Sequence, residues 1–565
     1  MLMAMTLPVP LTLPSRQDEV FPRLTPDQIA RVAAHGRTRS VVAGEVLVEG
    51  GQPMNSFFLV TEGQLDVVLV SRDKEQGDKE QLVTIHQAGQ FSGEINLLAG
   101  RPGLATIRAA GPGQVVELDR ENFLELVQTD GELSEIFMRA FILRRVELIA
   151  RGFGDVVLLG SIHCAATLRV KDFLTRNGHP YTFIDLDREA DVQTLLDRFH
   201  VSEADIPVVI CRGEFVLRNP SNEQIADCLG FNEAIDGTRI RDVVIVGAGP
   251  AGLGAAVYAA SEGLDVLVLE SNAPGGQAAS SSRIENYLGF PSGISGAELA
   301  ARAFTQAEKF GAELMIAKGA KQLSCDPGRY SVEIENGERI VGRSVIIATG
   351  AQYRGLPIDH LAQFNGAGVY YGATPIESNL CRGEDVMIVG GGNSAGQAAA
   401  FLAGSARKVI IVVRSEGLSE TMSRYLIRRI EQNPAIEIRS HSEIVAVEGN
   451  IHLERVRCAN QETGMETTDN VRHLFVMTGA VPATEWLGGC VALDSSGFVK
   501  TGPDLTPDDL AAAGWPLSRP PHLLETSRPR VFAVGDVRSG NIKRVASAVG
   551  EGSIAVSFVH QVLHE

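Results

Sequence analysis

The spacing of apolar and polar positions changes character twice along the chain. From about residue 20 to 150, short alternating runs are separated by glycine turns: Ser40–Val48, Ser56–Glu62, Gly63–Val70, Gln81–Ala88, Thr106–Ala110 and Gln114–Leu118. Many short strands with regular turn signals predict a β-roll or sandwich. Thr25 before Pro26 marks a helix start, since the hydroxyl caps a free N–H and proline suits the first helical position. Glu121–Ile149 reads as helix. Between 151 and 235 the patterns alternate. Strands are expected at Asp155–Gly160, Tyr181–Leu186 and Ile206–Ile210, with a hairpin partner at Gly213–Leu217. Helices are expected at His163–Arg176, Val192–Phe199 and Ser221–Leu229. Beyond residue 241 unbroken apolar runs take over, among them Val243–Val246, Val266–Leu269, Val345–Ala351 and Val409–Val413. Such runs fit strands buried on both faces of a parallel sheet, so this part of the chain is α/β.

Two of these strands run straight into glycine turns. The first is Gly247-Ala-Gly-Pro-Ala-Gly252, followed by an Ala-rich helix and a second strand ending at Glu270. This is a βαβ dinucleotide fingerprint in its required context. Gly247 allows the tight turn, Gly249 lets a pyrophosphate approach bare backbone, and Gly252 lets the helix pack on the sheet. The helix N-terminus offers N–H groups and a positive dipole end. Glu270, 18 residues beyond Gly252, can accept from both ribose hydroxyls. The second unit is Asp385-Val-Met-Ile-Val-Gly390-Gly-Gly392-Asn-Ser-Ala395, and its following strand ends at Arg414. A guanidinium where an NAD site carries an acid suits a 2′-phosphate, so this unit favours NADPH. Arg424, on the next helix, is a second candidate. Two nested Rossmann-like units imply electrons passing from a nicotinamide to a prosthetic flavin.

At 565 residues the chain exceeds one core, and three or four domains are expected. With 44% hydrophobic and 21% charged residues it is globular rather than disordered. A net charge of −18 argues against nucleic-acid binding, because a phosphate backbone is repelled. The opening residues 1–19 lack a basic n-region and carry Pro8, Pro10 and Pro14, so a flexible leader is expected rather than a signal peptide. No run of about 18 apolar residues is present, so no membrane span is expected. Seven cysteines, none in a CxxC pair, do not suggest a disulfide framework, and a reducing cytoplasm is expected. No metal site is expected.

The stretch GEVLVEGGQPMNSFFLVTEGQLDVV, then GQFSGEINLLAGRPGLATIRA, resembles the cyclic-nucleotide-binding domain family, over residues 20–150. In that family a Glu binds the ribose 2′-hydroxyl, and Glu94 matches it. The phosphate-binding Arg falls on Gly103 and is missing, which removes a charge-assisted contact. The resemblance leaves two readings: a docking domain without ligand, or a nucleotide or other anion held by Arg101 or Arg108. No DNA-reading helix-turn-helix follows. Residues 151–235 resemble the thioredoxin/glutaredoxin fold, through the strand–Cys–helix turn and the Ile-Pro before a strand. The resemblance implies a cis Pro207 and makes Cys164 the match to the family nucleophile, at a helix N-terminus that would lower its pKa. Thr167 stands at the resolving position, so only a monothiol role, or a redox-dead docking module, is open. Cys211 and Cys228 read as core thiols.

From Arg241 onward GAGPAG, PGGQ, IENYLGFP, ATGA, GVYYGATP, GGGNSA, TGAVPAT, FAVGDV and KRVASAVGEG occur in order. This resembles the low-molecular-weight thioredoxin reductase group of FAD-dependent pyridine nucleotide oxidoreductases. The resemblance implies an FAD-binding domain in two parts, 241–353 and 481–565, around an NADPH-binding domain, 354–480. By position it puts Gly247, Gly249, Pro250, Ala251, Gly252 and Glu270 on the ADP half of FAD, and Gly275, Gly276, Gln277 and Asn286 near the flavin. Thr349 and Gly350 line the crossing, Gly535 and Asp536 the ribityl chain, and Arg544, Val545 and Ala546 the flavin pyrimidine edge. Gly390, Gly392, Asn393, Ser394 and Ala395 fall on the NADPH phosphates. The family's redox-active Cys-Ala-Thr-Cys falls on Gly372-Ala-Thr-Pro375, with neither sulfur present. Cys381 reads as structural. The implied activity is hydride transfer from NADPH to FAD in a cytoplasmic homodimer. The acceptor is open: a disulfide or thioredoxin-like partner reached through Cys164, or a quinone, ferredoxin or oxygen at the flavin. The alternative is a non-enzymatic flavoprotein that senses NADPH.

Overall fold

The computed structural model describes residues 17–71, 79–150, 156–161, 164–187, 202, 205–212, 215–232, 236–325, 330–419, 422–450 and 452–565. The chain divides into two units: residues 1–161, 178–234 and 308–311, and residues 162–177, 235–307 and 312–565. The expected leader lies, except for its last three residues, outside the described residues, as does the expected helix Val192–Phe199.

The first unit opens with α1 (Gln17–Val20) and α2 (Pro26–Ala34). Thr25 caps α2 reciprocally: its hydroxyl accepts from Gln28 N at 3.3 Å, and Gln28 Oε1 accepts from Thr25 N at 2.8 Å. Strands β1 (Arg37–Val41), β2 (Val46–Val48), β3 (Ser56–Glu62), β4 (Gln64–Ser71), β5 (Lys79–Gln87), β6 (Thr106–Ala109) and β7 (Gly113–Asp119) form two sheets, ordered β1-β7-β3 and β2-β6-β4-β5. The expected single strand Ser40–Val48 is split, because Gly44 takes φ +79° and turns the chain. A short helix, α3 (Asn96–Ala99), follows Glu94. The expected helix Glu121–Ile149 is also two, α4 (Arg120–Thr129) and α5 (Gly131–Ala150). Asp130 breaks it: its backbone is extended and its carboxylate accepts from Leu133 N at 3.0 Å, which starts the next helix. Phe57, Phe91, Phe123 and Phe137 are fully buried, with Phe57 stacked on Phe123 at 4.9 Å and Phe91 edge-on to Phe137 at 4.7 Å. Such pairs add to the area term that holds the roll together.

A further sheet in this unit is ordered β11-β10-β8-β9, from β8 (Val156–Gly160), β9 (Tyr181–Asp185), β10 (Val208–Cys211) and β11 (Phe215–Arg218). β8 and β9 are parallel and β10 is antiparallel to β8. The Ile206–Pro207 bond is cis, as expected. Helix α7 (Asn222–Leu229) is capped by Ser221. Helix α6 (Ala165–Arg176) belongs to the second unit.

The second unit is built on two sheets, one mixed and one all-parallel. The mixed one is ordered β14-β13-β12-β17-β16-β15, with β28 on β17. Its strands are β12 (Ile240–Val246), β13 (Val266–Glu270), β14 (Glu313–Ile316), β15 (Ala320–Ser324), β16 (Tyr330–Ile334), β17 (Arg339–Ile347) and β28 (Val531–Ala533), and β16 runs antiparallel to β15 and β17. The other is ordered β19-β26-β20-β21-β22, from β19 (Val369–Tyr370), β20 (Asp385–Val389), β21 (Lys408–Val412), β22 (Ile436–Arg439) and β26 (His473–Val476). Both crossings meet: β18 (Ala351–Tyr353) pairs antiparallel with β27 (Ala480–Pro482). A three-stranded antiparallel sheet within residues 442–469 was not legible as such in the sequence. Cys325 and Cys490, 165 residues apart, form a disulfide with Cα atoms 6.0 Å apart, a pairing the cysteine spacing did not suggest. Both sulfurs lie in the apolar cluster of Leu323, Leu487 and Val491, and sequence separation hid them.

Phe57→Ala should destabilise the roll by ~3–5 kcal/mol, as for other buried aromatic truncations. Calorimetry should show one transition moving to lower temperature while flavin absorbance is retained.

Candidate functional site

β12 ends at Val246 and the chain turns at Gly247, whose φ is +108°. A Cβ there would overlap the carbonyl of Ala348, and a Cβ at Gly252 would overlap the carbonyl oxygen of Gly247 itself. Glycine is therefore required at both. At Gly249 a Cβ would meet only the Gly276 Cα, at 3.9 Å, so this face is open. Pro250 and Ala251 begin α8 (Pro250–Ser261), whose first N–H groups face that opening. Glu270 ends β13, buried, with Oε2 accepting from Ala248 N at 2.8 Å and Oε1 from Asn272 N at 2.9 Å. Burial raises its pKa, and the two N–H groups pull it back toward the charged form. Each oxygen keeps a lone pair for a ribose hydroxyl.

The following loop is tied to this turn. Gly275 N donates to Ala248 O at 2.7 Å, with Gly275 and Gly276 both at positive φ. The Gln277 amide donates to Ala351 O, and Thr349 Oγ1 donates to Ala483 O at 2.8 Å, so both join this site to the crossing segments. Gly350 takes φ +67°. Asn286 is exposed, one residue after Glu285, which pairs with Arg429 at 3.1 and 3.2 Å. After β28, Gly535 N donates to Glu551 Oε2 at 2.7 Å, and Asp536 is half-buried, with no hydrogen bond among the described residues. Burial raises the Asp536 pKa. Arg544 caps α14 (Val545–Leu563), so Val545 and Ala546 present that helix's free N–H groups. A Cβ at Gly552 would overlap the backbone of Ala251, so α14 lies directly on α8. Sequence reasoning missed Glu551, whose carboxylate also pairs with Arg538 at 2.6 Å. It missed Arg176 too, which donates to the Ala273 and Gly276 carbonyls at 3.3 and 3.0 Å. The first lies within the KRVASAVGEG stretch and had a signal; Arg176 had none.

The second turn repeats the geometry. Gly390 takes φ +136° and its Cβ would overlap Met477 O, whereas nothing lies within 4 Å of a Cβ at Gly392. Asn393, Ser394 and Ala395 open α11 (Asn393–Leu402). The Asn393 side chain accepts from Ser423 N at 2.8 Å, which fixes the start of α12 (Arg424–Glu431). Arg414 and Arg424 are both exposed and in no ion pair among the described residues.

Gly372–Pro375 begins α10 (Pro375–Leu380), and a Cβ at Gly372 would meet the Ser280 Cβ at 3.4 Å. Thr374 and Glu377 cap that helix: Glu377 Oε2 accepts from Thr374 N at 2.8 Å. The turn thus lies beside the first cradle's loop and offers only carbon and capped oxygen. Cys381 is fully buried, and burial drives its pKa far up; Cys458 is pushed up to about 11. Cys164 is half-buried at the N-cap of α6, and Thr167 is buried with its hydroxyl unpartnered. In the first unit, Glu94 is buried. Arg101 donates to Phe231 O at 3.0 Å and Arg108 pairs with Glu80 at 2.7 Å. Both arginines are engaged within the chain, which favours, of the two readings, the docking domain over an anion held by either of them. Among the described residues no helix is long and apolar enough to cross a membrane, and no group of three or more His, Cys, Asp or Glu could hold a metal.

The family model described as pyridine nucleotide-disulphide oxidoreductase matches residues 241–552, and the cyclic nucleotide-binding domain matches residues 38–130. The thioredoxin reductase of Bacillus subtilis is 31% identical over 328 residues, covering 58% of this chain and 96% of its own. The bifunctional thioredoxin reductase/thioredoxin of Mycobacterium leprae is 33% identical over 326 residues, covering 58% of this chain and 66% of its own. The thioredoxin reductase structures from Lactococcus lactis and T. acidophilum superpose with TM-scores of 0.52 and 0.51 at 28% and 29% identity. They cover 57% and 58% of this chain and all of theirs. The chain belongs to the pyridine nucleotide-disulphide oxidoreductases. It is an FAD-dependent NADPH oxidoreductase resembling thioredoxin reductase, with a cyclic-nucleotide-binding-like β-roll in its first unit.

Gly252→Ala should purify without flavin, because the new methyl displaces the helix N-terminus from the strand end. The ratio of flavin to protein absorbance checks this.

Proposed function

We propose that the first cradle holds FAD and the second holds NADPH, and that electrons leave by a route that bypasses the Gly372–Pro375 turn. FAD, when bound, accepts hydride from a nicotinamide and passes two electrons onward. Gly247, Gly249 and Gly252 bring backbone against the pyrophosphate, with Pro250 and Ala251 at the helix start and Glu270 accepting from the ribose. Gly275, Gly276, Gln277 and Asn286 border the ring, Thr349 and Gly350 the crossing, and Gly535 and Asp536 the ribityl hydroxyls. Arg544, Val545 and Ala546 turn N–H groups to the pyrimidine edge. The open face at Gly249 and the unpaired Asp536 carboxylate fit this group.

Gly390, Gly392, Asn393, Ser394 and Ala395 take the NADPH phosphates, and Arg414, with Arg424, takes the 2′-phosphate. The observation that carries this reading is the contrast at the two strand ends: a buried, N–H-clamped Glu270 at one and a free, exposed Arg414 beyond the other. The FAD-binding parts are assigned to 241–353 and 481–565, and the NADPH-binding part to 354–480. The paired segments Ala351–Tyr353 and Ala480–Pro482 form the hinge between them.

Residues 151–235 are read as a thioredoxin-like fold, supported by the four-stranded sheet and the cis proline. Of the thiols, Cys381 and Cys458 are silenced by burial. Cys325 and Cys490 are joined beside Tyr330, whose register partner chain, Gly342 then Arg241, lies five residues before Val246. That is roughly 17 Å along the strand from the glycine turn. Cys164, half-buried at a helix N-cap, is the thiol suited to exchange with a disulfide of a thioredoxin-like partner or of glutathione. Direct reduction of a quinone, ferredoxin or oxygen is the second reading, favoured by the sulfur-free turn beside Ser280. Cytoplasmic location and a homodimer complete the proposal.

Arg414→Ala should raise KM for NADPH about tenfold, a loss of about 1.4 kcal/mol, and leave KM for NADH unchanged. Steady-state kinetics with both coenzymes checks it. Cys164→Ser should abolish NADPH-driven disulfide reduction while the flavin is still reduced. Retained disulfide turnover in that variant excludes the Cys164 route, and no turnover of any acceptor by the unaltered protein favours an NADPH sensor.

A further inference from the structure

The β-roll contains a cavity of about 100 Å³. Met54, Val67, Leu104, Ile107 and Leu148 make its wall largely apolar, and the charged or titratable groups on it are His86, Glu94, Arg144 and Glu147. This is where the fold family implies a cyclic nucleotide, and the side chains present do not fit one. A Cβ at Gly103 would meet only Met54 Cε and Val48 Cγ1, each at 3.7 Å, and Ala105 O at 3.9 Å, so a ring phosphate would face methyl groups. Glu94 is occupied: Oε1 accepts from Leu104 N at 2.9 Å and Oε2 from Arg145 Nη1 at 3.3 Å.

Two other groups are left unbalanced. Arg144 donates to Val20 O at 3.0 Å, Gly93 O at 2.8 Å and Phe91 O at 3.2 Å, and lies 4.8 Å from the Phe91 ring. It has no ion pair among the described residues, and burial lowers its pKa to about 9. The Glu94 carboxylate acts on this charge from a distance, but that carboxylate is already held by Leu104 N and Arg145, so the buried Arg144 still favours an anion placed directly against it. Three of its five N–H groups are used, which leaves donors for one. His86 is 3% exposed, and its Nδ1 has no hydrogen-bond partner. Burial, together with the Arg144 charge, keeps this ring neutral. A buried ring nitrogen without a partner points to a group that completes it.

We propose that this cavity binds a small apolar monocarboxylate, whose anionic head lies between Arg144 and His86 Nδ1 and whose hydrocarbon body fills the space among Met54, Leu104 and Ile107. An apolar cavity of about 150 Å³ takes a benzene ring, so this one of about 100 Å³ holds a ligand of similar or slightly smaller size. That suits a short branched chain or a single ring. Arg144 and Leu148 both lie on α5, so occupancy acts directly on that helix.

Calorimetric titration of the full-length, flavin-loaded protein with 3-methylbutanoate tests the assignment, with 3-methylbutanamide and cyclic AMP as comparisons. Saturable binding of one carboxylate per chain is expected. The uncharged amide should bind at least tenfold more weakly, and cyclic AMP more weakly than the carboxylate. His86→Phe and Leu104→Trp should each weaken carboxylate binding at least tenfold, while NADPH still reduces the flavin. Either variant suffices if the other does not fold. Four results would overturn the proposal: no saturable carboxylate binding, equal binding of the amide, undiminished binding in a folded variant, or tighter binding of cyclic AMP.

Discussion

The back half of the chain depends on backbone packed against backbone at two points. At Gly252 the first turn of α8 touches the carbonyl of Gly247, and at Gly390 the end of β20 touches the carbonyl of Met477. One methyl group at Gly252 would separate strand from helix, and one at Gly390 would push the turn off the end of β26. Held together, the strand end and helix start leave unpaired N–H groups over an open face. Other parts of the first cradle are registered on that turn. Glu270 reaches it through Ala248 N, and the Gly275 loop folds back to Ala248 O. α14 lies on α8 because Gly552 has no side chain.

The two cradles share this geometry and differ in charge. A helix N-terminus contributes about 0.3–1 kcal/mol toward an exposed anion. A hydrogen bond involving a charged group contributes about 1.5–3 kcal/mol. The shared turn can therefore attract phosphates but cannot tell one dinucleotide from another. Discrimination falls to the residue at the next strand end. Glu270 is buried and clamped by two N–H groups, which leaves lone pairs suited to a hydroxyl and a charge that would repel a phosphate. Arg414 is exposed and unpaired, which leaves its planar donors free.

Local features were legible in the sequence to the degree that one residue sets them. The glycine turns, the Thr25 cap and the strands β3, β12 and β13 follow from turn chemistry and short apolar runs, and the structure has them. The break at Asp130 was not seen, because Asp and Gly can sit in a helix; only the carboxylate's bond to Leu133 N decides. Long-range pairings were least legible. Nothing in the spacing of Cys325 and Cys490 marks them as neighbours, since sheet order brings them together. The same holds for Arg101 and Arg108, which read as free cations until Phe231 and Glu80 are placed.

Burial then decides which groups remain chemically available, in both units. A thiol reacts as its thiolate, and desolvation disfavours that form. This removes Cys381 and Cys458 from chemistry although both pack beside the β20 sheet. The same desolvation acts on Arg144, but a guanidinium cannot readily shed its proton and stays a cation in an apolar wall. Three carbonyls take three of its five N–H groups and leave its charge uncancelled. In the thiols, then, burial extinguishes reactivity. In the β-roll, where the phosphate-binding arginine is replaced by Gly103, the same force leaves one positive charge and one unpaired imidazole nitrogen facing the same small space.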